Sequence, residues 1–125
     1  MTTVYLTVAE VLAIHEDQIG RYGGSPGVRD PGQLEAALFR PQTGYYADIL
    51  AEAAALWESL FQNHPFVDGN KRTAFAVTFT FLAVNGMTIT ANEDAVIRFL
   101  VPLYDRNTLE FDKLEAWLRK NAKAQ

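Results

Sequence analysis

Hydrophobic positions in this chain recur mainly at helical spacing. Val8, Val11, Leu12, Ile19 and Tyr22 share one face, the pattern of an amphipathic helix. Thr7 followed by Glu10 supplies a capping-box start, and Gly23-Gly24 ends the run. His15 lies on this helix beside Glu16 and Asp17 and reads as a surface residue. A stretch rich in glycine and proline follows and ends in Asp30-Pro31, a cap and a first-position proline. It predicts a short helix through Leu34 and Leu38 to Arg40, stopped by Pro41.

Residues 41–48 contain Gly44, Tyr45 and Tyr46 and read as an exposed loop or small hairpin, or as paired tyrosines packed on the core. Residues 49–63 place Leu50, Ala53, Ala54, Leu56, Trp57, Leu60 and Phe61 on strong helix formers, predicting a third helix. After a turn-rich segment, residues 73–84 hold Phe75, Val77, Phe79, Phe81 and Leu82 without a charge. Alternating Phe and Thr would also suit a strand. The length of the run and Gly86 just beyond it favour a helix, and an apolar surface all round marks it as the buried central one. Residues 87–90 read as short and extended. Thr90 with Glu93, and Asp112 with Glu115, propose capping boxes for last helices over 91–104 and 112–123. The expected fold is all-α: one domain over residues 1–125, a compact bundle around a buried helix with a small loop or hairpin flap.

Composition narrows the function. At 125 residues and 49% hydrophobic content, the chain suits one cored domain. It has no cysteine, which excludes disulfides and thiolate zinc sites. The net charge of -4 disfavours non-specific nucleic-acid binding, which needs surplus Lys and Arg. No basic leader with a long apolar run and no spanning apolar stretch is present, so the expected setting is the cytoplasm, without membrane partners.

Local charge departs from this balance at His64-Pro65-Phe66-Val67-Asp68-Gly69-Asn70-Lys71-Arg72, a loop feeding the N-terminus of the most hydrophobic helix. A helix N-terminus carries about half a positive charge, so Lys71 and Arg72 there cost about 0.3–1 kcal/mol each unless an anion is bound. Free N–H groups, two cations and a glycine that admits a ligand make a phosphate cradle. Asp68 beside it suits the magnesium that travels with nucleotide phosphates. His64 is placed to take a proton from a hydroxyl, and Phe66 to anchor the loop in the core. Each residue alone has a plainer reading as turn former, cap or solvated charge. Their coincidence within nine positions favours phosphoryl or nucleotidyl transfer. Ser25 and Ser59 have no base nearby in sequence, so a hydrolytic triad is unsupported.

The same segment resembles the signature of the Fic/Doc family, HxFx(D/E)GNGRxxR, in the Doc-branch form HxFx(D/E)xNKR, through His64, Phe66, Asp68, Asn70 and Arg72. Arg21-Tyr22-Gly23-Gly24, Pro26-Gly27 and Arg29-Asp30-Pro31-Gly32 resemble the N-terminal part of Doc-type toxins. Lys71 stands where Fic enzymes have a glycine, and Phe75 where they have a final arginine, which puts AMP transfer in doubt. The resemblance implies that ATP binds with its γ-phosphate toward His64 as base, Asp68 as magnesium ligand, and Gly69, Asn70, Lys71 and Arg72 as the phosphate site. It implies a kinase-like toxin acting on a Ser or Thr hydroxyl of a translation factor, elongation factor Tu in the family pattern. An AMP transferase and an inactive binding module are the alternatives. Residues 44–46 correspond in place to the flap that aligns the target by strand addition. No glutamate is followed by Gly or Asn, so the self-inhibitory family pattern (S/T)xxxE(G/N) is absent. Inhibition is expected from a separate antitoxin whose segment folds as a helix over the cleft.

Overall fold

The computed structural model describes residues 2–125. Its helices are α1 (Val8–Tyr22), α2 (Pro31–Phe39), α3 (Ile49–Gln62), α4 (Asn70–Val84), α5 (Glu93–Asp105) and α6 (Phe111–Asn121). Two three-residue strands, β1 (Met87–Ile89) and β2 (Ala122–Ala124), pair antiparallel with Met87 opposite Ala124 and Ile89 opposite Ala122. No helix among the described residues is long and apolar enough to cross a membrane.

The first two helices start where the sequence places their caps, and the third starts after an Asp48 cap that the sequence reading did not single out. Thr7 and Glu10 form the reciprocal box, with N–H to side-chain oxygen distances of 2.9 and 3.2 Å. Asp30 accepts from the Gln33 N–H at 3.2 Å and Asp48 from the Ala51 N–H at 3.0 Å. The last two capping boxes do not form. Helix α5 is capped by Asn92, which accepts the Ala95 N–H at 2.9 Å. Thr90 turns away and donates its N–H and hydroxyl to the Asn121 carbonyl at 2.6 and 3.0 Å. Helix α6 begins at Phe111 because the Phe111 N–H is taken by Glu58 of α3 at 2.6 Å. Tertiary partners override the local pattern in both cases. The last helix also ends early, and residues 122–124 form β2.

The buried centre is α3, a correction to the expectation that residues 73–84 would fill it. Ala51, Ala53, Ala54, Ala55, Leu56, Trp57, Leu60 and Phe61 are all buried, and the run of alanines lets α2, α4 and α6 approach it closely. Helix α4 buries Ala74, Val77, Phe81 and Leu82 but leaves Phe79 42% exposed. Its threonines fit the helix by back-bonding, Thr78 to the Ala74 carbonyl and Thr80 to that of Ala76, both at 2.8 Å.

Residues 40–48 form no hairpin. A 3-10 turn spans Arg40–Thr43 and closes on Gly44 in the left-handed region at φ +82°. The tyrosine alternatives divide between the two residues: Tyr45 is 84% exposed, whereas Tyr46 packs 5.6 Å from the Phe111 ring. Arg40 pins this turn by donating to Tyr46 Oη, Glu58 and Ser59 at 2.6, 2.7 and 2.9 Å.

Candidate active site

The loop between α3 and α4 is held from both sides. On one side lie residues 24–30, which follow α1: Val28 bridges Phe66, the Arg29 N–H donates to the Pro65 carbonyl at 2.8 Å, and the Val67 N–H donates to that of Gly27 at 3.1 Å. On the other side Phe66, 1% exposed, plugs the core as expected. Asn70 closes the loop internally. Its amide oxygen accepts the Phe66 N–H at 3.0 Å and its amide nitrogen donates to the Phe66 carbonyl at 2.9 Å. The side chain assigned to the phosphate site is thus committed to loop shape, and what Asn70 offers a ligand is its backbone N–H.

His64 sits just past the end of α3 with φ +45°, a left-handed conformation that costs a non-glycine residue about 1–3 kcal/mol. Arg29 holds it there. The guanidinium donates to the His64 carbonyl at 2.6 Å and to the Asn63 carbonyl at 2.8 Å, which also satisfies the C-terminal end of α3. The exposed His64 ring lies 5.9 Å from that of Phe61, which stacks at 5.5 Å on Tyr104 from α5. Burial pushes the Tyr104 phenol up to about 12.

Asp68 is exposed, and its carboxyl is held below the usual carboxylate range by the Ser25 N–H at 3.1 Å and then by the Gly69 N–H at 2.8 Å. It is therefore a ready anion at neutral pH. Among the described residues no three His, Cys, Asp or Glu side chains converge on a metal position. The donor set fits magnesium carried in on phosphate oxygens, and not a cation caged by protein alone.

Gly69 caps α4 at φ +74° without a side-chain bond, so the first N–H groups of the helix, which have no intrahelical partner, are left for a ligand. A Cβ there would lie 3.0 Å from Ile19 Cδ1 and 3.8 Å from Arg72 Nη2, so the left-handed φ and close packing against α1 both favour glycine. Lys71 projects over the Tyr104 ring at 4.7 Å, and Arg72 donates to the Gly23 carbonyl at 2.7 Å while lying 5.5 Å from the Tyr22 ring. The two cations flank the helix start from opposite sides. Phe75, in place of an arginine, meets the Trp57 ring edge-on at 5.5 Å and serves packing.

Next to Lys71 and Arg72 a groove of about 820 Å³ opens along α4, lined by Phe75, Phe79, Val96, Ile97, Val101 and Tyr104 among others. Periodicity had placed these α4 residues in the core. The structure also brings in two residues that sequence reasoning missed. His15 is 3% exposed, not superficial, because it falls one turn from both Val11 and Ile19 on the buried face of α1. Arg29 lay within a noted motif, but its contact with the backbone of His64 has no sequence signal.

This loop, with its conjoined histidine, aspartate and cationic helix start, belongs to a defined class. The description "Fic/DOC family" matches residues 5–82, and the chain belongs to that family. It is similar to Toxin Doc of Mycolicibacterium smegmatis, 47% identical over 78 residues that cover 58% of this chain and 60% of that protein. It is also similar to Protein kinase doc of Escherichia phage P1, 35% identical over 89 residues, 68% of this chain and 71% of that protein. The family match reaches from the residues before α1 into α4 and so contains the whole loop, while Tyr104 and the α5 wall of the groove lie beyond it.

Proposed function

We propose that this chain is a Doc-type toxin that transfers the γ-phosphate of ATP to a Ser or Thr hydroxyl of a translation factor in the cytoplasm, with elongation factor Tu as the target to test first. The observation that supports it most is the company at the start of α4. A carboxylate held ionised by two N–H groups, two cations and helix N–H groups without intrahelical partners lie within residues 68–72, just after a histidine kept in a costly backbone conformation. The relatives named Toxin Doc and Protein kinase doc agree with this reading.

In this scheme the target hydroxyl oxygen forms a bond to the γ-phosphorus while the bond to the β,γ-bridging oxygen breaks, and ADP leaves with the electron pair. His64 takes the hydroxyl proton. Lys71, Arg72 and the N–H groups of α4 hold the phosphate oxygens. Asp68 would hold magnesium, which would supply charge neutralisation at the phosphates. Placing a hydroxyl and a phosphate together in this way supplies most of what phosphoryl transfer requires.

The groove along α4 and α5 fits the inhibitory helix of an antitoxin: its floor is apolar and its end beside the phosphate site is cationic. A helix lying there would cover Lys71 and Arg72 and shut out the nucleotide.

The test incubates purified protein with magnesium, elongation factor Tu or a bacterial lysate, and ATP labelled on the α- or the γ-phosphate. Label from γ alone, lost in His64→Ala, is the expected result. Label from α would establish AMP transfer instead. No His64-dependent label from either would overturn the enzyme reading in favour of a binding module.

A further inference from the structure

The reaction as described gives no task to the buried His15 side chain. His15 lies inside α1, 3% exposed, and touches the active loop twice. Its ring stacks on Phe66, with centroids 3.8 Å apart and planes within 5° of parallel. Its Nε2 lies 2.8 Å from the carbonyl oxygen of Asp68. A carbonyl only accepts, so Nε2 carries the proton and donates. We infer that His15 is a positioning residue for Asp68: it fixes the peptide that links Asp68 to Gly69 and so aims the carboxylate at the magnesium-bound phosphates. This rests on the nucleotide reading above.

In a trans peptide the C=O and the following N–H point in opposite directions. With the Asp68 carbonyl drawn toward α1 by His15, the Gly69 N–H must point away from α1, and there it meets Asp68 Oδ1 at 2.8 Å. The other carboxylate oxygen, Oδ2, is taken by the Ser25 N–H at 3.1 Å. Asp68 is therefore held at its backbone by His15 and at its side chain by two amides, with one orientation left to it. Gly69, at φ +74°, is the residue freest to rotate this peptide, since glycine populates both signs of φ. Without a donor at position 15 the part-buried carbonyl would lose its partner there, and turning the peptide toward water would restore one. The turn would carry the Gly69 N–H off Oδ1 and release the carboxylate. Ile19, one turn along the same face, closes the other escape by packing against the open side of Gly69.

Two variants separate positioning from bulk packing. His15→Phe keeps an aromatic ring against Phe66 and loses the donor, whereas His15→Gln loses the ring and keeps an N–H near the place of Nε2. Each is measured by calorimetric titration with ATP, with and without magnesium, by turnover, and by amide hydrogen exchange at Gly69 without nucleotide. For His15→Phe we expect a wild-type circular dichroism spectrum, unchanged affinity for magnesium-free ATP, loss of about tenfold in magnesium-dependent affinity, and exchange at Gly69 at least about tenfold faster, with His15→Gln recovering most of both losses. Wild-type exchange and magnesium dependence in His15→Phe would overturn the inference. So would equal losses in both variants that track their melting temperatures, which would make His15 a packing residue only. The exchange arm needs no nucleotide, so if the wild-type protein binds no magnesium ATP, the function proposed above fails while Gly69 exchange still decides whether His15 fixes this peptide.

Discussion

Replacing Gly24 by alanine tests how tightly the N-terminal loop and the active loop are fitted. Gly24 sits at φ +117°, where an L side chain is strained, and a Cβ built on it would lie 2.8 Å from Asp68 Oδ2, 3.3 Å from Asp68 Cγ and 3.1 Å from Ile19 Cδ1. The backbone strain is about 1–3 kcal/mol. At about 2.1 cal/mol/K of unfolding entropy per residue, a chain of 125 residues has about 0.26 kcal/mol/K at its midpoint. The expected fall in Tm is therefore about 4–12 °C. The clash falls on the far end of an exposed side chain, so Asp68 would swing away and give up the Ser25 N–H, the largest influence holding its pKa down. Its carboxyl should then titrate at higher pH, which NMR of the side-chain carbon measures directly. Gly20→Ala is the control. Gly20 lies in α1 with nothing within 4 Å of its added Cβ, and alanine should raise Tm by about 2–4 °C, from a gain of about 0.5–1 kcal/mol. A Gly24→Ala protein with wild-type Tm and an unmoved Asp68 titration would refute the fitted-loop account.

Three other outcomes follow from the site. Lys71→Ala should leave apo stability within about 0.5 kcal/mol by denaturant melts, because relief at the helix N-terminus (about 0.3–1 kcal/mol) offsets a lost cation–π contact with Tyr104 (about 0.5–1 kcal/mol), while nucleotide affinity falls. Asn70→Ala should cost about 1–3 kcal/mol in the same melts, since it removes both hydrogen bonds to the Phe66 backbone. Asp68 and Asp48 both have folded pKa values below their unfolded ones, the latter chiefly through Arg119. Their contribution is complete above about pH 4, the unfolded carboxylate value, and is lost as pH falls through the lower folded values, so Tm should be flat from these groups at pH 5–8 and drop in acid. Asp48→Asn, which keeps a cap oxygen but loses the Arg119 pair, should shallow that acid limb.

The helices were legible because their apolar spacing and first two caps agree with the tertiary structure. The residues of the candidate loop are contiguous in sequence and need no fold to bring them together. What sequence missed depends on partners far along the chain. His15 was masked by its neighbours Glu16 and Asp17, although its place in the row Val11, His15, Ile19 was a readable signal. Helix α4 looked central from its uniform apolarity, but one face lines a groove that only the separation of α5 creates. Residues 122–124 carry no strand pattern of their own. They become one because β1 offers a partner, just as α6 begins where Glu58 takes an N–H.

The pairing of Val28 with Phe66 ties the candidate site to a distant stretch of the chain. The Asp68 carboxylate and the His64 carbonyl are held by Ser25 and Arg29, 43 and 35 residues away. The entropy of closing such loops is recovered only once both segments have docked. Detaching α1 with the loop behind it would remove these contacts to residues 64–68, so the candidate site should come apart at a lower free energy than global unfolding. A protease that cuts in the exposed glycines after α1 would loosen these contacts without dissolving the rest of the fold, and during synthesis they form only once residues 64–72 have emerged.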